Sequence, residues 1–200
     1  AHRRFQSLLD APAAGIGPAY FVGALRDDPF RRWLEDDGMN FGVAFPTAAF
    51  GWKDDYFYVG NASIARETFD RVGAFDERFR HDLFDDFEFS LRLRERGVPT
   101  RFVPRAVAWH DHEVTFDYRL ESSRRLGEAA AIYESTSTGP WPWSPLTAQA
   151  IVSFEAAERE EAQRAPTAPT IGASRKRWEI AFNLAFLRGY HAARRGAGPG

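Results

Sequence analysis

The spacing of apolar residues changes several times along the chain between the period of a strand and that of a helix. Short apolar runs predict strands over residues 20–23, 56–59 and 100–109, the last of which Pro104 interrupts. Helices are predicted over residues 29–34, 62–72, 85–96 and 115–135. Pro29, after a possible Asp27 or Asp28 cap, indicates the first, and an apolar face indicates the second. An acidic first turn, late arginines and the following Gly97 indicate the third. This alternation is typical of an α/β fold.

After residue 135 the pattern is helical alone, over residues 146–164 and 175–195. A stretch rich in Pro, Thr and Ala at 165–173 predicts a linker, and the Gly-rich tail from Gly196 is expected to be disordered. We therefore expect two parts, an α/β part over residues 1–135 and a helical extension over residues 136–200.

Composition narrows the class of protein. The 200 residues are 44% hydrophobic and 27% charged, which is typical of one ordinary domain or two small ones. A net charge of −2 argues against a generally cationic nucleic-acid binder, and the absence of cysteine excludes disulfides and thiol catalysis. No apolar run approaches the about 18 residues of a transmembrane helix. Because the chain begins with Ala1 rather than Met, we expect a processed chain or a fragment.

Three carboxylates lie in the first turn of the predicted helix 85–96: Asp85, Asp86 and Glu88. Adjacent residues of a helix point about 100° apart, so one acid of the pair can face a cleft while the other binds a neighbour. The helix dipole and the free N–H groups of a helix start hold a carboxylate ionised, which suits a general base. The alternative is that these acids only cap the helix.

Two histidines, His110 and His112, follow the predicted strand 100–109. Residues two apart on a strand face the same way, so both can point into a cleft at the strand's end and bind a metal. The alternative is a pair of hydrated, inert side chains. Gly60 and Asn61 close an earlier strand, where glycine lets the backbone approach a ligand and asparagine can cap the next helix.

Four segments occur in a fixed order over residues 56–112: YFYVGNASIARETF, VGAFDERF, FDDFEFSLRLRERG and RFVPRAVAWHDH. Together they resemble the second half of the catalytic domain of family-2-type glycosyltransferases, which have the GT-A fold. The resemblance implies a partial GT-A-like mixed sheet with flanking helices. It extends less securely back to about Phe5, and nothing is recognised after about residue 135. The first half of that domain, with its donor-binding D-x-D motif, has no counterpart here, and neither has the Q-x-x-R-W motif.

The resemblance also implies roles for individual residues. Asp86 matches the catalytic base and Asp85 its acidic neighbour, while His110 matches a ligand of a divalent metal, Mn²⁺ or Mg²⁺, at the donor diphosphate. His112 joins His110 as a metal candidate through its spacing. The residues expected around the acceptor substrate are Gly60, Asn61, Phe75, Asp76, Glu77, Glu88 and Trp109. Four aromatic rings could stack on a sugar or belong to the core: Trp52, Tyr56, Tyr58 and Trp109.

The implied function is that of an inverting glycosyltransferase in polysaccharide or glycoconjugate biosynthesis. It would transfer a sugar from a nucleotide-sugar donor to a hydroxyl of a sugar, a lipid-linked or a protein acceptor. We expect this chain alone to be incomplete and inactive, with its donor-binding half supplied by a longer chain or a partner. The alternatives are a non-catalytic carbohydrate-binding or scaffolding remnant of the fold and, ranked last, a metal-dependent hydrolase.

The expected location is cytoplasmic, with peripheral membrane contact through residues 174–195. This stretch has a net charge of +5 and an apolar stripe that includes Trp178, Phe182 and Tyr190. Such a helix can lie on an anionic membrane surface, or its stripe can pack on the protein itself, which is the alternative we favour.

Overall fold

The computed structural model describes residues 1–36, 56–79, 84–136, 148–163 and 171–196. By their contacts these residues form two compact units, one within residues 1–77 and 85–113, the other within 78–84 and 114–200. The fold is mixed α/β, as the sequence predicts, with the strands in the first unit and long helices in the second.

The first unit consists of short strands with helices between them. Its strands are β1 (Ala14–Ile16), β2 (Ala19–Phe21), β3 (Ala62–Ser63), β4 (Thr100–Phe102) and β5 (Ala108–His110). Its α-helices are α1 (His2–Ser7), α2 (Gly23–Arg26), α3 (Pro29–Asp36), α4 (Arg66–Val72) and α5 (Asp85–Glu95), and a 3₁₀ turn spans Val59–Asn61.

The five strands form two small sheets. In the first, β1 lies between β3, to which it is antiparallel, and β4, to which it is parallel. In the second, β2 and β5 pair in parallel, and Tyr20 is opposite Trp109. The core under the first sheet draws apolar side chains from β1, α4, α5 and the segments at residues 57 and 98: Ala14, Ile16, Phe57, Val72, Phe89, Leu93 and Val98.

Two acidic side chains, Asp28 and Glu35, hold helix α3 in place. Asp28 Oδ1 accepts hydrogen bonds from the backbone N–H groups of Phe30 and Arg31 at 3.1 and 2.9 Å, so this acid caps the helix as its position predicts. Near the other end of α3, Glu35 is buried. It accepts from the Phe21 N–H at 2.9 Å and pairs with Arg26 at 2.8 Å. The helix is thereby tied to β2.

The second unit contains α6 (Phe116–Thr136), α7 (Ala148–Gln163) and α8 (Ile171–Gly196). Helices α6 and α8 approach so closely that a Cβ on Gly127 would overlap the Phe186 carbonyl oxygen, and a Cβ on Gly189 would overlap that of Arg124. By these contacts α6 belongs with α8, whereas the sequence prediction placed nearly all of α6 with the α/β part.

Helix α8 buries most of its apolar stripe. Phe182 and Tyr190 are almost fully buried, and Phe182 packs on Phe116 with ring centroids 5.5 Å apart. This packing is the alternative that the sequence analysis favoured for the stripe. No helix among the described residues is long and apolar enough to cross a membrane.

Three predicted elements differ from the structure. Residues 56–58 are extended but unpaired and lead into the 3₁₀ turn, so the predicted strand 56–59 is wrong. The predicted helix 62–72 begins only at Arg66, because residues 62–63 pair with β1 instead. Residues 171–173 of the predicted linker belong to α8. The rest of that linker, the tail after residue 196 and Trp52 lie outside the described residues.

Candidate active site

Asp86 is the second residue of α5, and its side chain is only 9% exposed. The Tyr56 hydroxyl donates a hydrogen bond to Asp86 Oδ1 at 2.9 Å. Tyr56 comes from the extended segment that precedes the 3₁₀ turn, thirty residues earlier in the chain. The acid is thus removed from bulk solvent, and the Tyr56 hydroxyl binds one of its carboxylate oxygens.

Ser90 fixes the segment that carries Tyr56. Its hydroxyl donates to the backbone carbonyl of Asp86 at 2.6 Å and accepts a hydrogen bond from the Phe57 N–H at 2.7 Å. Ser90 is almost fully buried, so these bonds are made without competition from water. They satisfy the buried Phe57 N–H, which has no strand partner, and so they register Tyr56 against Asp86.

Burial raises the pKa of Asp86 to about 7, from an ordinary value of 3.8. Loss of hydration is the largest cause and the negative charge of Asp85 adds to it, while the hydrogen bond from Tyr56 and the backbone N–H of Phe87 lower the pKa. The sequence analysis expected the helix start to hold this carboxylate ionised. That expectation is wrong in direction, because desolvation outweighs the hydrogen bonds and the helix dipole.

The backbone directly before the acidic pair is strained. Phe84 has a φ of +77°, in the left-handed region that bulky residues avoid, and its side chain is buried. Such a conformation costs about 1–3 kcal/mol and is found more often at functional sites than elsewhere. This conformation lies at the residue directly before Asp85, the first residue of α5.

Glu88 lies on the same helix turn but is committed to a salt bridge. Arg92 Nε and Nη2 each bind one of its carboxylate oxygens at 2.7 Å. The remaining three N–H groups of Arg92 donate to the carbonyls of Val72, Gly73 and Ala74 at 2.9 to 3.1 Å. All five donors of this guanidinium are therefore used, and Glu88 is placed to orient Arg92 rather than a substrate.

Arg92→Lys is expected to destabilise the first unit by roughly 2–4 kcal/mol, because an ammonium cannot reproduce the five bonds and leaves Glu88 and the carbonyls poorly paired. Urea unfolding measures the loss, and amide hydrogen exchange should show faster opening at Gly73–Phe75 than elsewhere in the unit. The control is Arg96→Lys, since Arg96 makes only a 3.5 Å bond to the Arg92 carbonyl. Equal stability of the two variants would refute the role of Arg92.

The loop after α4 carries three further predicted site residues. Phe75 packs on Phe69 and Phe89, with ring centroids 5.9 and 4.7 Å apart, so its ring extends the core. Asp76 is half-buried and Glu77 is exposed. The Arg92 bonds hold the backbone immediately before these two acids.

Asn61 connects three parts of the first unit. Its Nδ2 donates to the carbonyls of Pro18 and Ala106 at 3.0 and 2.6 Å, and its Oδ1 lies 3.1 Å from His2 Nε2. The side chain therefore holds the chain at β2 and before β5, and it does not cap a helix as the sequence allowed. Gly60, beside it, is exposed in the 3₁₀ turn.

His110 and His112 lie together, with ring centroids 5.6 Å apart. Burial and the neighbouring His112 lower the pKa of His110, which favours the neutral imidazole that binds metals. The described residues, however, contain no group of three or more His, Asp or Glu side chains able to hold a metal ion. The two imidazoles can therefore supply only part of a coordination shell.

Trp109 is 64% exposed and packs on Tyr20, with ring centroids 5.8 Å apart. Because side chains alternate along a strand, Trp109 lies on the face of β5 opposite His110, which instead packs on Phe21. The structure thus separates two residues that the sequence analysis placed in one cleft. The hydrogen bonds of the described residues join Asp86 to Tyr56 and do not join it to His110 or Asn61.

Sequence reasoning missed two residues of the Asp86 site. Tyr56 was considered only as a ring for sugar stacking, and Ser90 was not considered. The four-residue interval from Asp86 to Ser90 places both on one helix face and was the available signal for Ser90. No sequence signal links Tyr56 to Asp86, since their contact spans thirty residues.

The fold and the site thus define an α/β protein with a buried carboxylic acid at a helix start. Over 55 residues the chain is 38% identical to a chondroitin synthase of Pasteurella multocida (strain Pm70). The aligned stretch is 28% of this chain and 6% of that protein. The chain therefore spans a small fraction of this relative's length. No family model and no solved structure matches the chain. The partial match indicates a relationship to glycosyltransferases.

Proposed function

We propose that this chain is the acceptor-side, catalytic-base part of an inverting glycosyltransferase of the GT-A fold. The observation that carries the proposal is Asp86, a carboxylic acid buried at the start of α5, bonded to Tyr56 and with a pKa of about 7. A base is most effective when its pKa lies near the working pH, because it is then both available and basic. The similarity to a chondroitin synthase supports the same class.

In this proposal the ionised Asp86 accepts the proton of the acceptor hydroxyl as that oxygen attacks the anomeric carbon. The bond from that carbon to the nucleoside diphosphate breaks on the opposite side, so the configuration inverts. The Tyr56 hydroxyl donates to Oδ1 of this carboxylate and orients it. Asp85 raises the basicity of Asp86 by its charge.

The donor and the metal are further parts of the proposal. A nucleotide sugar would be bound largely by a donor-binding part, in the same longer chain or in a partner. A divalent cation, Mn²⁺ or Mg²⁺, would neutralise the leaving diphosphate, and His110 with His112 would supply part of its ligands. Since the described residues build no complete metal site, we assign no step of the reaction to the metal.

The acceptor is proposed to be a growing saccharide. The relative's name identifies it as a chondroitin synthase, and we extend only saccharide synthesis, not its product, to this chain. The exposed ring of Trp109, with the half-buried Tyr20 beside it, offers a surface for a sugar, although not on the face that carries His110. Location in the cytoplasm, with or without membrane contact through the cations of α8, stays a prediction.

The proposal is tested by incubating the protein, with any donor-binding part joined or added, with nucleotide sugars, oligosaccharide acceptors and Mn²⁺. Transfer of a sugar with inversion supports it. Saccharide binding without transfer would favour a non-catalytic carbohydrate-binding remnant. Release of phosphate or alcohol from simple esters, independent of any nucleotide sugar, would favour a metal-dependent hydrolase.

A further inference from the structure

A cleft of about 830 Å³ lies in the first unit at the edge of the sheet where β1 and β4 begin. These strands are parallel, and the N–H of Ala14 donates to the carbonyl of Pro99 at 2.9 Å, just before the paired stretch. Asp86 lies near the start of α5 and the cleft residue Arg96 follows its end. Ten residues of helix separate them by about 15 Å. The cleft is therefore distinct from the Asp86 site.

Three arginines line this cleft, each from a different element: Arg71 from α4, Arg96 from the turn after α5 and Arg101 from β4. No acidic residue is among the ten lining residues. Among the described residues none of the three arginine side chains forms an ion pair, and their one side-chain hydrogen bond runs from Arg96 to the Arg92 carbonyl at 3.5 Å. The cleft thus carries three positive charges and no carboxylate among its lining residues.

Two of these charges have a partial structural explanation. Arg71 and Arg96 lie at the C-terminal ends of α4 and α5, where cations interact favourably with the helix dipoles. That interaction does not apply to Arg101, which lies on a strand.

The remaining walls are apolar. Leu9, Pro12, Val98 and Pro99 line the cleft, and Val98 is almost fully buried, so this wall is anchored in the core. The volume lies within the about 300–1,000 Å³ of small-molecule sites. Such sites usually combine an apolar wall with a few polar or charged groups, as this cleft does. Guanidinium groups bind phosphate, sulfate and carboxylate through paired, charge-assisted hydrogen bonds.

We propose that this cleft binds a small organic anion of about the size of a sugar phosphate or a uronic acid. The arginines hold its phosphate or carboxylate, and the apolar wall covers its carbon skeleton. This site does not depend on the proposed transfer reaction, and it can be occupied whether or not Asp86 is a catalytic base.

The experiment titrates the ¹⁵N-labelled chain with glucose 1-phosphate, glucuronate and neutral glucose, and follows the amides of Gly97, Val98 and Arg101. We expect saturable shifts with at least one of the two anions and none with glucose. The anion that saturates identifies phosphate or carboxylate as the group bound. The triple variant Arg71→Gln, Arg96→Gln, Arg101→Gln should weaken that binding by tenfold or more.

The matched control is Arg3→Gln, Arg66→Gln, Arg105→Gln, which removes the same charge from exposed positions of the same unit that do not line the cleft. Affinity in this control should stay within about twofold of the wild type. An equal loss in both variants would show that only overall charge matters. Absence of saturation with either anion, or equal shifts with glucose, would likewise overturn the proposal. Unchanged amide spectra away from the cleft verify that both variants are folded.

Discussion

In the enzyme completed by its donor-binding part, Asp86→Asn is expected to lower the kcat of sugar transfer by about 10²–10⁴-fold, the contribution typical of a general base, while donor binding stays near normal. Asparagine keeps the size of the side chain and can still accept the Tyr56 hydrogen bond, but it cannot take a proton. Steady-state transfer rates, with donor affinity measured separately, test this. An unchanged kcat would remove Asp86 from the role of base.

The same substitution should stabilise the fold at neutral pH. The folded pKa of Asp86, about 7, lies above its ordinary 3.8, so the folded state holds a proton that the unfolded state has lost between these values. Wild-type stability therefore falls as the pH rises from about 4 to about 7. A three-unit difference corresponds to at most about 4 kcal/mol, so above pH 7 Asp86→Asn should gain roughly 2–4 kcal/mol.

At pH 4 the gain should largely vanish, because Asp86 is then protonated in the folded wild type. Asp70→Asn, at an exposed position of α4, is the control and should change neither the rate nor the stability appreciably. If Asp86→Asn is less stable than the wild type at pH 8, Asp86 stabilises the fold. That result would contradict the view that this acid is kept for function at the expense of stability.

Gly127→Ala is expected to destabilise the second unit by about 3 kcal/mol or more. In an unconstrained helix this change stabilises by about 1 kcal/mol, because alanine has the higher helix propensity. Here the new methyl would overlap the carbonyl oxygen of Phe186 and lie 2.8 Å from the Tyr190 nitrogen. Backbone atoms cannot turn aside as a side chain can, so α6 and α8 must separate and lose packing along their length.

Circular dichroism during thermal unfolding measures this loss, and Gly196→Ala is the control. Gly196 ends α8, and a Cβ built there meets no atom within 4 Å. We expect the control to unfold at or slightly above the wild-type temperature. If Gly127→Ala also unfolds at or above the wild-type temperature, α6 and α8 do not approach so closely at Gly127.

The sequence correctly predicted the elements whose ends are determined by interactions within the element itself. Helix α5 was correctly bounded because its acidic first turn, basic last turn and following Gly97 act within the helix itself. The cap of α3 was expected from Asp27 or Asp28, and the structure assigns it to Asp28. The broken strand around Pro104 was also confirmed, as β4 and β5.

Predictions from the sequence were wrong where contacts between distant residues determine the local structure. Aromatic residues 56–58 suggested a strand, but their bulk serves packing: Phe57 enters the core, and its N–H binds Ser90 instead of a neighbouring strand. Conversely, β1 was missed because Gly15 suggested a break. A Cβ at Gly15 would meet the Phe5 ring at 2.7 Å, so glycine is needed for packing against α1.

The candidate site shows the same division. The acids of α5 were identified from their spacing, yet the roles of Glu88 and Asp86 depend on Arg92 and Tyr56. The pKa of Asp86 could not be read from the helix start alone, because burial, which decides its direction, is a property of the folded unit.

The most direct test of the central claim is a carbon-13 NMR titration of the Asp86 side-chain carboxyl in this chain, with Asp86→Asn used to assign the resonance. The chain should be studied between pH 3 and 9. We predict a midpoint near 7. A midpoint near the ordinary value of 3.8 would show a solvated acid that caps α5, and it would contradict the assignment of Asp86 as a buried catalytic base.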